Sequence, residues 1–152
     1  MSLSSTDGGR IVTVRPEELR EGMQAWKTGT TIVTAMGVHG EPVGLVCNSF
    51  TSVSLDPPLV SWCVDRKSSS IESWSTIDAF SVHILKEGQQ EWITRFAKRG
   101  AGKFRGIEAP RTSVGSPALD LAGTRMDCVL TKRYDGGDHL IMLGEVHTIE
   151  NR

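Results

Sequence analysis

The residues best suited to chemistry lie in the stretch 41–58, EPVGLVCNSFTSVSLDPP, where an apolar segment gives way to small polar side chains. Val43, Leu45 and Val46 indicate a strand, and Gly44 leaves room for another group to approach the backbone. The hydroxyls and amides that follow are those of Asn48, Ser49, Thr51, Ser52 and Ser54. A strand ending in such donors and acceptors predicts the rim of a site for a small planar ligand. An ordinary strand and loop is the alternative interpretation.

A second group of polar residues is the segment Arg66-Lys67-Ser68-Ser69-Ser70. Serine is a strong N-cap, and Ile71 and Trp74 follow at helical spacing, so a helix is predicted to begin here. Helix N-termini favour phosphate through free N–H groups and the positive end of the dipole. The segment therefore predicts a phosphate site, and a capped, solvated helix start is the alternative.

Two cation–aromatic pairs, Arg95-Phe96 and Lys103-Phe104, lie near a long loop rich in Gly, Pro, Arg and Ser at 99–117. A flat heteroaromatic ligand with a phosphate could stack on such rings and pair with such cations. For Phe96, a place in the core of a helix is the simpler interpretation. Loops of this length in a compact domain often cover or line sites.

The histidines give weaker signals. No GxSxG motif and no HxxxH spacing occurs, so nucleophilic hydrolysis and a metal site are disfavoured. His83 alternates with Val82 and Ile84 and is interpreted as structural. His139 follows a glycine turn beside Asp138, a position that favours function, although a structural turn histidine is the alternative.

Composition limits the function classes. The chain has 152 residues, with 17 Lys plus Arg, 18 Asp plus Glu and a net charge of −1. This near-neutral charge does not indicate a nucleic-acid-binding surface. The sequence shows neither an apolar segment long enough for a membrane helix nor a signal peptide. There is no GxGxxG or P-loop motif. Three cysteines without CxxC spacing indicate free thiols in a cytoplasmic protein.

Hydrophobic periodicity predicts the elements that position these residues. Helices are predicted from Pro16 to Gly29, with Leu19, Met23 and Trp26 on one face, from Ser68 onwards and over 87–98. The four tryptophans, Trp26, Trp62, Trp74 and Trp92, are interpreted as core anchors. Strands are predicted over 30–38, from Glu41, and over 59–64, 79–85, 125–133 and 139–150. About six strands with few helices indicate a mainly β domain, a small antiparallel barrel, over residues 16–152. Residues 1–15 are predicted to be a disordered N-terminal segment.

Several of these motifs occur together in a known family. They are TGTTIVT (28–34), PVGLVCNSFTSVSLDPPLVSWCV (42–64), SSS (68–70), AFSVHIL (79–85), RFA (95–97), KFRGI (103–107), Cys128 and GGDHLIMLGEV (136–146). In this order the chain resembles the short-chain flavin reductases, which are the reductase components of two-component flavin monooxygenases. The resemblance covers roughly residues 16–148.

The resemblance implies a homodimeric FMN-binding split β-barrel. Such proteins bind FMN or FAD and use NADH or NADPH to reduce the flavin, which diffuses to a separate monooxygenase. Because hydride passes between the two cofactors, no essential general base is expected.

By position, the resemblance also implies roles for individual residues. The isoalloxazine ring and ribityl chain would be lined by Pro42, Val43, Gly44, Leu45, Val46, Asn48 and Ser49. The ribityl-phosphate end would lie near Cys63, Val64, Asp65, Ser68, Ser69 and Ser70. Arg95 and Phe96 would complete the pocket, and His139 would face the nicotinamide.

Related chains usually continue past the GEV segment into another strand, whereas this one ends at Arg152, so a C-terminal truncation or a missing strand is expected. The choices between FMN and FAD and between NADH and NADPH stay open. Two further hypotheses are a flavin-binding or carrier protein of the same fold without turnover, and an interaction module with an empty pocket.

Overall fold

The computed structural model describes residues 14–26 and 29–152. Except for Val14 and Arg15, the predicted disordered segment 1–15 lies outside the described residues. The helices are α1 (Pro16–Met23), α2 (Ile71–Trp74) and α3 (Gln90–Phe96). The strands are β1 (Thr31–Met36), β2 (Pro42–Cys47), β3 (Thr51–Ser54), β4 (Leu59–Asp65), β5 (Ala79–Leu85), β6 (Gly123–Gly136) and β7 (His139–Asn151).

Within the described residues, all seven strands belong to one antiparallel sheet with the order β2-β1-β5-β6-β7-β4-β3. The mainly β fold is thereby confirmed, with one strand more than the expected six. The additional strand, β3, lies in the hydroxyl-rich stretch that the sequence indicated as a rim. The β6–β7 hairpin occurs at the predicted glycine turn, with Gly136 paired to His139.

The sheet curls so that the end of β2 approaches β4. The Ser49 hydroxyl, just after β2, accepts a hydrogen bond of 2.8 Å from the Cys63 backbone N–H in β4. Alternate residues of the strands point into the enclosed space, where Trp62 packs edge-on against Trp74 and Phe80. This arrangement is the expected split barrel, filled by side chains.

A second apolar cluster covers the outer face of β1 and β2. It comprises Ile32, Phe96, Leu119 and Leu121, with Val46, Trp92 and Phe104 packed against it. Because α3 and the α3–β6 loop (residues 97–122) supply most of these side chains, the loop is held against the barrel.

Polar contacts also fasten the α3–β6 loop. The His83 ring contacts the Ile32 carbonyl through Nδ1 (3.1 Å) and accepts from the Leu119 N–H through Nε2 (3.1 Å). Its structural role is therefore confirmed. The buried Asp127 carboxylate accepts hydrogen bonds from the side chains of Ser81, Arg125 and Thr148.

The helices are shorter than the patterns predicted. The first predicted helix face, Leu19, Met23 and Trp26, is not buried: these side chains are 61%, 53% and 68% exposed. The interpretation of every tryptophan as a core anchor therefore fails for Trp26 and holds for the fully buried Trp62 and Trp74. Within the described ranges, no helix is long and apolar enough to cross a membrane.

Candidate functional site

A cavity of about 530 Å³ lies between β2 and residues 100–105. We call it the β2 cavity. One wall is the start of β2, and the others come from the turn before β2, the segment that leads into α2, and the loop after α3. The lining residues are Val38, His39, Glu41, Pro42, Val43, Gly44, Ser69, Ser70, Glu72, Ser73, Gly100, Ala101, Gly102, Lys103, Phe104 and Arg105.

The β2 wall is shaped by a contact between Gly44 and Phe96. A Cβ atom built on Gly44 would lie 2.8 Å from Cε2 of the Phe96 ring. The open backbone that the sequence indicated at Gly44 is thus occupied by the Phe96 ring. Phe96 is fully buried and meets Phe104 edge-on, so it supports the cavity wall from behind and does not line it.

Lys103 joins the loop to both neighbouring elements. Its Nζ donates to the Gly44 carbonyl (3.0 Å) and to the Phe96 carbonyl at the end of α3 (2.8 Å). Partial burial, and to a smaller extent the nearby Arg99 guanidinium, lower the pKa of the Lys103 amine. The ammonium has three N–H donors, so one remains for a further partner after these two bonds.

The Arg95 guanidinium clamps the same loop. Nε donates to the Lys103 carbonyl at 2.7 Å, and a terminal nitrogen donates to the Arg105 carbonyl. Arg95 lies outside the lining of the β2 cavity. Its contacts make it a support of the cavity loop.

The serine segment closes the cavity from the α2 side. Ser69 Oγ accepts from the Gly100 N–H at 3.2 Å, and the Arg99 guanidinium donates to the Lys67 carbonyl at 3.0 Å. Ser70 occupies the N-cap position of α2 without a side-chain capping bond, and its own N–H donates to Ser68 Oγ. The predicted helix is therefore a single turn, and no side-chain bond from its N-cap serine caps it as expected. Ser69 and Ser70 nevertheless line the cavity.

The hydroxyl rim expected at 48–54 lies elsewhere. Ser49 Oγ contacts Cys47 Sγ at 3.1 Å and the backbone of Cys63, so its polar atom already serves the β2–β4 seam. Asn48 is exposed beside it and does not line the β2 cavity. Burial raises the pKa of the Cys63 thiol.

His139 begins β7, where it pairs with Asp65 of β4. Its Nδ1 lies 2.7 Å from an Asp138 carboxylate oxygen. Arg66 ties the hairpin to β4, since Nε donates to the Gly137 carbonyl and a terminal nitrogen to the Asp135 carboxylate. His139 does not line the β2 cavity, so its expected role at the nicotinamide stays a prediction.

Five of the residues that the resemblance placed at the flavin therefore line the cavity: Pro42, Val43, Gly44, Ser69 and Ser70. Leu45 and Val64 contribute to the barrel core, and Val46 packs against the outer cluster. Cys63, Asp65 and Ser68 lie in or after β4, outside the cavity lining. Residues 100–105 were not assigned to the site, although the Lys103-Phe104 pair was the signal that indicated this loop.

Comparisons with known proteins agree with this geometry. The family described as "Flavin reductase like domain" matches residues 23–152. An actinorhodin polyketide dimerase of Streptomyces coelicolor is 38% identical over 86% of this chain and 74% of its own length. A probable flavin reductase of Rhizobium meliloti is 35% identical over 90% of this chain and 44% of its own length. The HsaB reductase subunit of a flavin-dependent monooxygenase from Rhodococcus jostii is 37% identical, over 90% and 69%.

Solved structures share the fold. A putative oxidoreductase from Sinorhizobium meliloti superimposes with a TM-score of 0.85 at 34% identity, covering 92% of this chain and 49% of that one. The NADH:FAD oxidoreductase SgcE6 of Streptomyces globisporus, in complex with NAD and FAD fragments, gives a TM-score of 0.81 at 34% identity, covering 93% and 87%. The chain belongs to the flavin reductase-like family. It spans about half the length of some of these relatives.

Proposed function

We propose that this chain is an NAD(P)H-dependent flavin reductase that supplies reduced FMN or FAD to a separate flavin-dependent monooxygenase. The observation that carries the proposal is the β2 cavity, which combines an edge-strand wall with a lysine and serine hydroxyls. The names of the relatives support it, because HsaB is described as the reductase subunit of a monooxygenase and SgcE6 as an NADH:FAD oxidoreductase.

The residues of the β2 cavity fit a flavin. Its volume of about 530 Å³ lies in the range of small-molecule sites, roughly 300–1,000 Å³. Pro42, Val43 and Gly44 would present one edge of strand β2 to the ring system, and edge strands carry unpaired backbone groups. Lys103 and the hydroxyls of Ser69 and Ser70 are donors that suit a phosphate or a reduced, anionic ring.

The protein's contribution to the reaction is to bind and orient. Flavin and nicotinamide supply the hydride-transfer chemistry when bound. Gly44, backed by Phe96, fixes the position of the wall, and the Arg95 clamp fixes the loop opposite. The free donor capacity of Lys103 would stabilise negative charge that develops on reduction.

His139 is proposed to face the nicotinamide. Support comes from the pairing of His139 with Asp65, beside Arg66. These two residues come only a few positions before Ser69 and Ser70, which line the cavity. His139→Ala should raise KM for NAD(P)H more than the Kd for flavin. A larger effect on flavin affinity would contradict this placement.

A flavin titration followed by a turnover assay tests the function. Added FMN or FAD should be quenched in fluorescence by the purified protein, and NADH or NADPH should then be oxidised well above the rate without protein. Released reduced flavin should reduce cytochrome c added as a trap. Flavin binding without oxidation would favour the carrier hypothesis, and no binding of either flavin would favour the interaction module.

We further propose that the chain forms a homodimer in the cytoplasm. The exposed apolar side chains of Leu19 and Met23 on α1 and of Trp26 just after it support a dimer, because exposed apolar patches commonly mark interfaces. The free thiols of Cys47, Cys63 and Cys128 support a reducing compartment. Cell fractionation with an antibody against the protein tests the location.

A further inference from the structure

A second concavity, the α3 groove, adjoins the β2 cavity. It has a volume of about 690 Å³ and shares Ala101, Gly102, Lys103 and Arg105 with the β2 cavity. Thr94 in α3 and Lys98, two residues after the end of α3, contribute to this side of the groove. The loop that carries the shared residues is therefore the common wall of both spaces, so one ligand can extend across it.

The α3 groove is strongly cationic. Its charged lining residues, as far as the structure describes them, are Glu91, Arg95, Lys98, Arg99, Lys103 and Arg105. No described carboxylate forms an ion pair with any of these five cations. Five positive charges thus face one negative charge on a chain whose net charge is −1.

A third cavity, of about 850 Å³, provides a contrast. Its Arg125 pairs with Asp127 and Glu150, and its Arg152 pairs with Asp120. Arg125 and Arg152 are thus neutralised by the protein itself, whereas Arg95, which lines both this cavity and the α3 groove, has no described carboxylate partner. The cations of the α3 groove are left without such partners, which is the arrangement expected of a site for an anionic ligand.

Two of the cations have their donors available. Arg95, Arg99 and Lys103 donate to backbone carbonyls and hold the loop. Lys98 and Arg105 donate no side-chain hydrogen bond to any described residue, and the Arg105 guanidinium folds back over Gly102, 3.5 Å from where a Cβ would be. Arg105 lies at the boundary of the two spaces and Lys98 lies inside the groove.

The chemistry that suits two free cations next to a site for a flavin or nicotinamide ring is a diphosphate. FMN ends at one phosphate, whereas FAD and NAD(P)H carry a second phosphate that continues into adenosine. We propose that the α3 groove binds the adenosine diphosphate portion of a dinucleotide, with Lys98 and Arg105 contacting its phosphate oxygens. The inference rests on the proposed function, because that function places a flavin ring or a nicotinamide in the β2 cavity.

Charge reversal in the groove tests the proposal. Lys98→Glu is compared with Lys86→Glu, which makes the same charge change at an exposed position outside both spaces. The Kd values for FMN and FAD are measured by fluorescence quenching, and KM for NADH and NADPH is measured with FMN. We expect Lys98→Glu to raise the Kd for FAD, or KM for NAD(P)H, about tenfold, the loss expected for one charged hydrogen bond. The Kd for FMN should change by less than about twofold, and Lys86→Glu should change neither.

The pattern of losses identifies the ligand. A higher Kd for FAD with unchanged KM for NAD(P)H assigns the groove to FAD, and the reverse assigns it to the nicotinamide dinucleotide. Equal weakening of FMN and FAD, or no change for any dinucleotide, would overturn the proposal while leaving the reductase function intact.

ADP provides a readout that does not depend on reductase activity. Millimolar ADP should raise Tm of the unmodified protein and of Lys86→Glu, because a ligand that binds the folded state stabilises it. It should raise Tm of Lys98→Glu much less. If the unmodified protein binds neither flavin, the proposed function is refuted, and the ADP measurement still tests the groove. Equal increases of Tm with ADP in all three proteins would refute the inference.

Discussion

At the scale of single residues, the fit between Gly44 and Phe96 decides the shape of the site. The Phe96 ring lies where a side chain at 44 would be, and the Val33 carbonyl is 3.3 Å from the same point. Since Phe96 is fully buried at the end of α3, it cannot move outward without losing contacts with Phe104. One missing side chain on β2 thus fixes where α3 lies and, through α3, where the cavity loop begins.

Gly44→Ala is expected to destabilise the protein by about 1–3 kcal/mol, the usual result of overpacking a filled core. Flavin affinity should fall with it, because the displaced ring moves the cavity wall. Urea unfolding and a flavin titration measure the two effects. Gly22→Ala is the control, since a Cβ at Gly22 in α1 would meet nothing within 4 Å. If Phe96→Leu does not recover part of the loss in the double variant, the contact is not the cause.

His83 gives the protein a pH-dependent stability. Burial, as the main cause, lowers the pKa of its imidazole from 6.5 to about 4. Between these two pH values the unfolded chain therefore binds a proton that the folded protein does not bind. The contribution of His83 to the free energy of unfolding is fully present above about pH 6.5 and falls as the pH decreases towards 4. The shift corresponds to a loss of up to about 3 kcal/mol.

His83→Gln should remove most of this slope, because an amide can donate to the Ile32 carbonyl and accept from the Leu119 N–H without titrating. Urea unfolding of both proteins at several pH values between 7 and 4 measures the difference. Burial by itself raises the pKa of Asp127, but the hydrogen bonds from Arg125, Ser81 and Thr148 lower it overall, so Asp127 adds a loss of stability at lower pH in both proteins. Parallel profiles for the two proteins would contradict the assignment to His83.

At the scale of elements, the site is a loop held by two long side chains. Arg95 holds the carbonyls of Lys103 and Arg105, and Lys103 holds those of Gly44 and Phe96. Residues 100–105 have no helix or strand of their own. Their position depends on these side-chain bonds, together with the packing of Phe104.

Arg95→Met keeps much of the apolar length of the side chain and removes the clamp. We expect the Kd for FMN to rise about three- to tenfold, because the loop loses one or two hydrogen bonds that hold it in place. The change in Tm should be small. Faster cleavage by trypsin at Lys103 or Arg105 should accompany the loss. Lys98→Met serves as the control, because Lys98 makes no such bond to the loop. Unchanged flavin affinity would show that packing alone positions the loop.

The sequence predicted elements well where local pattern and burial agree. The bounds of β5 coincide with the predicted strand, because Phe80 and Val82 face the core while Ser81 and His83 face a buried outer layer. The prediction was wrong for the buried face of α1, since amphipathic spacing reveals an apolar face but not what covers it. The Lys103-Phe104 pair was indicated as a candidate for ligand contact, but the bonds from Lys103 to the Gly44 and Phe96 carbonyls were not predicted, because only the tertiary fold brings these groups near.

At the scale of the whole molecule, the apolar surface of α1 is the feature that a monomer leaves unexplained. Leu19, Met23 and Trp26 are each more than half exposed, and Val53 and Leu55 near β3 are exposed as well. Burial of a large apolar side chain contributes about 1.5–3 kcal/mol. A second copy that covers α1 would therefore gain stability from these side chains.

Light scattering coupled to gel filtration should give the mass of a dimer for the unmodified protein. Leu19→Lys should shift the mass towards a monomer, because a charge at the apolar face opposes burial. Gln24→Lys adds the same charge on α1 without removing an apolar side chain, and it should remain dimeric. A monomeric unmodified protein would refute the proposed assembly, and a dimeric Leu19→Lys would exclude α1 from it.

The seam closed by Ser49 also affects how the barrel moves. Among the described strands, β2 and β4 share no backbone ladder, and one hydroxyl supplies the hydrogen bond to the Cys63 amide. Loss of this one hydrogen bond therefore breaks no ladder of the sheet. Strand β2, which forms the wall of the cavity, is held by a backbone ladder on its β1 side and by side chains alone on its β4 side, so an adjustment at this seam needs no unzipping of the sheet.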